Sequence, residues 1–112
     1  MKYENTRIYQ RCHELLKRSH DLNKRLPTGY GFLGDQIRRA SASVLQNFAE
    51  GFGKSTKKDA RRFFAIARGS CNEVAAIFDI AHCAEIINNQ TLYDAKECAD
   101  HLARMLSKFN ID

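Results

Sequence analysis

Asn47 to Phe63 reads NFAEGFGKSTKKDARRF, an acid and two glycines followed directly by a run of lysines and arginines. Gly51 and Gly53 supply the permissive backbone at which helices end, and Ser55 or Thr56 supplies a side-chain oxygen able to cap the next helix. Thr56 with Asp59 three residues on has the form of a capping box, Asp standing in for the usual Glu. The stretch is therefore a corner between two helices, and the chain on both sides has the helical period. Upstream, Phe32, Leu33, Ile37, Ala40, Ser41, Val44, Leu45, Phe48 and Phe52 share one face. Downstream, Phe63, Ala67, Ser70, Val74, Ile77 and Ala81 form one stripe, with Phe64, Cys71, Phe78 and His82 beside it.

Further out, Ile8, Cys12, Leu15, Leu16, Ser19, Leu22 and Leu26 make an amphipathic helix that stops at the single proline, Pro27, with Gly29 and Gly31 in the turn beyond. Asn88, Asn89 and Gln90 interrupt the third helix. Thr91 with Asp94 repeats the Thr-x-x-Asp start, and Leu92, Ala95, Cys98, Ala99, Leu102, Met105, Leu106 and Phe109 give a fourth amphipathic segment. No segment alternates as a strand would. The expectation is an all-α, antiparallel up-down-up-down four-helix bundle in one domain spanning residues 1–112, with helices at roughly 6–25, 32–52, 56–86 and 91–110.

A chain of 112 residues with 44% hydrophobic and 28% charged residues fits one folded domain and excludes a disordered tail. Uncharged stretches such as Ser41 to Ala49 fall far short of the ~20 apolar residues of a membrane span. Met1 to Gln10 carries Lys2, Glu4 and Arg7 and no apolar signal-peptide core, so a cytoplasmic protein with no membrane partner is expected. The cysteines, Cys12, Cys71, Cys83 and Cys98, occur singly and read as buried or half-buried free thiols. A metal reading would join Cys98 and His101, three apart on one face, to His82 and Cys83. Zinc ligands come in closer pairs, so no metal and no cofactor is expected. His13 and His20 lie seven apart on helix one without the partners of a hydrolase triad. No GxSxG, Walker loop, GxGxxG or HExxH is present, and the chain is expected not to be an enzyme and to have no catalytic residue.

The formal charge of +5 is unevenly spread. Met1 to Arg68 holds fifteen Lys and Arg against six Asp and Glu, while Gly69 to Asp112 holds three against seven. Such a two-sided chain fits either an anionic partner or a subunit that docks its own acidic and basic surfaces.

The segment QIRRASASVLQNFAEGFGKSTKKDARRFFAIARGSCNE, Gln36 to Glu73, resembles the core signature of four-helix-bundle proteins encoded in intervening sequences of bacterial large-subunit ribosomal RNA genes. The matching positions are Arg38, Arg39, Ala40, Ser43, Asn47, Ala49, Glu50, Gly51, Phe63, Ala67, Arg68, Gly69, Ser70, Asn72 and Glu73. Leu45 stands where that family commonly has proline, so a proline kink in helix two is not expected. The resemblance implies a homo-oligomer, commonly a pentamer, and a role in binding nucleic acid. Accessory variability proteins of diversity-generating retroelements are similar in architecture and are thought to bind nucleic acid together with a reverse transcriptase.

Physical reading of the matched region assigns three sets of residues. Arg38, Arg39, Lys54, Lys57, Lys58, Arg61 and Arg62 are candidates for phosphate contacts with RNA or DNA; those clustered from Lys54 to Arg62 around a helix start oppose the macrodipole and gain most from an anionic partner. Asn47, Glu50, Arg68 and Glu73 are expected to form a polar network of ion pairs and hydrogen bonds fixing helix two against helix three, since carboxylates in small-residue surroundings need partners. Phe64 and Phe78, on the second apolar stripe of helix three, are expected at a subunit interface together with the small-residue face of helix two. Gly69, in mid-helix, predicts close approach of a neighbouring backbone. The competing reading is a scaffold that docks a protein partner such as a polymerase without touching nucleic acid.

Overall fold

The computed structural model describes residues 2–109. A 3-10 turn at Tyr3–Asn5 precedes four helices, α1 (Arg7–Arg25), α2 (Gly31–Phe52), α3 (Lys57–Cys83) and α4 (Asn89–Lys108), and no strand occurs among the described residues. Short loops join successive helices, and α1 also packs on α4, which closes an antiparallel ring about 46 Å long and 23 by 19 Å across. None of these helices is long and apolar enough to cross a membrane.

Side-chain caps set three of the starts. Thr6 Oγ1 accepts from the Tyr9 N–H at 3.1 Å and Thr56 Oγ1 from the Asp59 N–H at 3.2 Å. The fourth helix begins earlier than its Thr-x-x-Asp pattern predicts. Asn88 Oδ1 accepts from the Thr91 N–H at 2.8 Å, which leaves Thr91 inside the first turn. Asn caps a helix at least as well as Thr, so the residues read as a break are instead a start.

α3 ends at Cys83, three residues short of its expected limit, in a Schellman turn. The Ile86 N–H reaches the Ala81 carbonyl at 2.9 Å and the Glu85 N–H reaches the His82 carbonyl at 2.9 Å. Glu85 occupies the left-handed position with φ 63°, where glycine is usual, and so this helix end carries no glycine to mark it. α2 behaves in the opposite way. It runs unbroken through Leu45 to Phe52, and neither Gly51 nor Gly53 has a positive φ. Gly51 lies within the helix, and what it supplies is room for the Phe64 ring.

The core draws Ile8, Cys12, Leu15 and Leu22 from α1, Leu33, Ile37, Val44 and Phe48 from α2, Phe64, Cys71, Val74 and Phe78 from α3, and Cys98, Leu102 and Leu106 from α4. Phe64 and Phe78 are 2% and 1% exposed, so they fill one bundle and offer no surface to a second subunit. The second stripe of α3 exists because α3 packs against α2 and α4 at once, and two partners require two apolar faces. Small residues on α2 are likewise used within the bundle: Ala40 and Ser41 are buried, and the Ser43 hydroxyl meets the Ser70 hydroxyl at 2.8 Å across α2 and α3. At the end of the bundle beneath the α2–α3 corner, Phe48, Phe64 and Phe109 pack pairwise with centroids 5.4–5.7 Å apart, Phe109 edge-to-face with both others, and Phe52 leans on Phe48 and Phe109. Such aromatic pairs contribute roughly 0.5–1.5 kcal/mol each beyond their buried area.

Candidate nucleic-acid interface

Gly53 to Thr56 carries the chain from α2 to α3 on top of this aromatic plug. The Lys54 N–H closes on the Gly51 carbonyl at 3.1 Å and the Ala60 N–H on the Thr56 carbonyl at 3.1 Å. Thr56 uses its side chain on Asp59, and the N–H groups of Lys57 and Lys58 at the very start of α3 have no intrahelical acceptor. The side chains of Lys57, Lys58 and Arg61 are exposed and make no ion pair among the described residues.

The other two cations of the corner are held. Lys54 Nζ lies 3.1 Å from Glu50 Oε2 and 5.0 Å from the centre of the Phe63 ring, and the Arg62 guanidinium stands 4.8 Å from the same ring. Phe63, half-buried, thereby fixes two positive charges beside the open N–H groups without neutralising Arg62. The basic spacing is legible in the sequence, whereas Phe63 stands there as a position of the apolar stripe and of the matched signature, with no cation assigned to it. Its flanking by Lys54 and Arg62 is the signal that identifies it as a cation platform.

Arg38 and Arg39 do not join this corner. They lie about fourteen residues before Phe52, where α2 ends, roughly 21 Å at ~1.5 Å per residue. Arg38 is paired with Asp35 and lines the seam between α1 and α2. The seven candidate cations therefore divide into five at the corner and two arginines well removed from it.

The expected polar network is also different in substance. Asn47 belongs to it, donating through Nδ2 to the Ser43 carbonyl at 2.8 Å and to the Ser43 hydroxyl at 2.9 Å. Glu50 and Glu73 are exposed; Glu50 meets only Lys54, one turn along, and neither Glu73 nor Arg68 has an ion-pair partner among the described residues. Two serines of the matched signature, Ser43 and Ser70, replace the carboxylates as the polar link between α2 and α3. Gly69 is exposed, and a Cβ placed on it would meet nothing within 4 Å, so no neighbouring backbone of the same bundle approaches it.

A stronger ionic cluster lies between α1 and α4. Arg11 donates to Glu97 at 3.0 and 3.1 Å, to Glu14 at 2.8 Å and, through Nε, to His101 Nδ1 at 2.9 Å, while Arg18 reaches Glu14 at 3.2 Å. Burial works against the Arg11 charge, but the Glu97 and Glu14 carboxylates outweigh it and hold the guanidinium above its ordinary value. Burial likewise opposes the charge of Glu14, and Arg18 with Arg11 lowers its carboxyl despite it. The i, i+3, i+7 spacing of Arg11, Glu14 and Arg18 could have revealed one side of this clamp.

His101 is thus engaged with Arg11, and His82 bonds Asn89 at 2.6 Å. No group of three or more His, Cys, Asp or Glu among the described residues is placed to hold a metal ion. Cys12, Cys71 and Cys98 are buried, and burial pushes each thiol up to about 12, so all three remain protonated and unreactive at neutral pH. Cys83 departs from the expectation of burial and is exposed.

The sequence pattern of the 23S rRNA-intervening sequence protein family matches residues 4–108, nearly the whole described bundle. The chain belongs to this family. No curated relative matches the chain. The family match extends from Glu4 to Lys108, well beyond the Gln36 to Glu73 signature, so α1 and α4 are part of the family pattern as much as the corner is.

Proposed function

We propose that this 23S rRNA-intervening sequence protein is a non-enzymatic, self-associating module that binds the phosphate backbone of RNA or DNA with little sequence preference. The observation that carries the reading is the start of α3, where two N–H groups without intrahelical acceptors, the exposed cations Lys57, Lys58 and Arg61, and the ring-held cations Lys54 and Arg62 converge. Helix dipole, backbone donors and side-chain charge all favour an anion at that point. None of the five side chains is committed to base readout, so phosphates would position the partner and specificity would be weak. The family's association with ribosomal RNA genes agrees with a nucleic-acid partner in the cytoplasm.

Self-association is supported by the outward face of α3. Ile66 and Ile80 are each 46% exposed, and Ala65, Gly69 and Ala76 lie exposed along the same helix. A glycine costs about 1 kcal/mol in a helix interior relative to alanine, and nothing within one bundle requires it at position 69. A second copy approaching this flat strip would use it, and repeated copies would multiply weak phosphate contacts. The same strip favours the alternative reading, a scaffold for a protein partner, only if that partner displaces the second copy. Fluorescence anisotropy with short labelled RNA and DNA, comparing the native chain with Lys57→Glu plus Lys58→Glu, separates the two: loss of salt-sensitive binding in the variant supports the nucleic-acid reading, and no binding by either protein leaves the scaffold.

A further inference from the structure

We infer that copies of this chain recognise one another through a charge pair, Arg39 of one copy with the partner's Glu73, set across the outer faces of α2 and α3. This rests on the self-association reading and names the residues that fix its register.

Glu73 decides the matter. Ile66, Gly69, Glu73, Ala76 and Ile80 follow one another at alternating intervals of three and four residues, which places them in a single stripe on the outward side of α3. All five are exposed, and Glu73 alone among them is charged. Its carboxylate has no ion-pair partner among the described residues. A second copy closing on the stripe would withdraw that carboxylate from water, which is costly unless the copy brings a cation to it.

Arg39 is the cation in position to answer. The 2.8 Å bond between the Ser43 and Ser70 hydroxyls sets the level of α2 against α3. Arg39 is four residues before Ser43 and Glu73 three residues after Ser70, so in these antiparallel helices both lie about one turn from that bond, on the same side of it. Arg39 is exposed and also lacks an ion pair among the described residues, whereas its neighbour Arg38 is engaged with Asp35. One copy therefore shows a cation and an acid at one level on adjacent helices, unpaired with each other. Such a face is self-complementary, because an approaching copy offers both charges, twice across a two-fold axis or once at each contact round a ring. The pair also supplies what the apolar residues lack. A stripe of Ile66, Gly69, Ala76 and Ile80 alone lets one copy slide along another, and a charged pair holds a single register.

The test is charge reversal, since Arg39→Ala would leave the apolar stripe to hold the copies together. Sedimentation equilibrium of the full chain reads the association, and circular dichroism shows that each variant keeps its helices. Arg39→Glu and Glu73→Arg should each weaken self-association by about tenfold or more, because each sets like charges against one another. Both substitutions in one chain should restore it, and the two single variants, dispersed when alone, should associate when mixed. Full association in either single variant, or no recovery in both the combined variant and the mixture, overturns the pair while leaving self-association standing. Recovery when Glu73→Arg is combined with Arg68→Glu instead of Arg39→Glu gives the acid a different partner and overturns it as well. A native chain that stays monomeric removes the self-association reading and this pair with it.

Discussion

The Phe64 ring lies so close to the backbone of Gly51 that a Cβ at position 51 would stand 2.6 Å from the nearest ring carbon and 3.0 Å from the Ala60 carbonyl oxygen. The ring belongs to the aromatic plug and the carbonyl to the first turns of α3, so neither neighbour gives way easily. Gly51→Ala is expected to destabilise the bundle by about 1–3 kcal/mol, as overpacking of a close contact does. Urea unfolding followed by circular dichroism reads it, and an unchanged midpoint would show that α2 and α3 are less tightly apposed.

The polar link between these helices runs through Ser43, Ser70 and Asn47. Ser43→Ala removes a partner from both others and should cost roughly 1–3 kcal/mol, and the double variant with Ser70→Ala should cost less than the sum of the singles. Glu50→Gln and Glu73→Gln should each lie within about 0.5 kcal/mol of the native chain, because their carboxylates are exposed. A large loss from Glu73→Gln would restore the carboxylate network expected from the residues around it.

Glu85 holds a left-handed backbone that closes the Schellman turn after α3. A non-glycine residue there bears about 1–2 kcal/mol of steric cost, partly offset by its smaller loss of chain entropy. Glu85→Gly is therefore expected to raise stability by roughly 0.5–1 kcal/mol and to shift the thermal midpoint upward by a few degrees. A lowered midpoint would mean that the Glu85 side chain makes a contact worth more than this strain.

If the outer strip of α3 joins copies, Ile66→Glu with Ile80→Glu should reduce the particle mass in light scattering while leaving helical content unchanged. Phe64→Glu should instead unfold the chain, since its ring is buried inside one bundle. A monomeric native protein would refute the self-association reading.

The four helices could be read from the sequence because each long amphipathic period leaves one outcome, and Thr56 signalled the start of α3 by local chemistry. Boundaries failed where the chemistry was atypical: an asparagine cap at Asn88 resembled a break, and Glu85 ended a helix without glycine. Site residues were harder. Charge runs such as Lys57 to Arg62 are visible in one dimension, but Arg38 was grouped with them by sequence type although the helix carries it to the other half of the bundle. Burial misled in both directions. Glu50 and Glu73 looked costly and prove solvated, while Phe64 and Phe78 looked surplus to one core and prove to fill it, because periodicity does not tell how many neighbours a helix has.

The central claim is that phosphate binds at the start of α3. Its most direct measurement is the dependence of nucleic-acid affinity on salt for the native chain, for Lys57→Ala with Lys58→Ala, and for Arg39→Ala. The expected result is a steep native slope that falls by about 0.7–0.9 for each corner lysine removed and stays unchanged in Arg39→Ala. A slope that the corner substitutions leave untouched, or that Arg39→Ala alone reduces, would contradict the account.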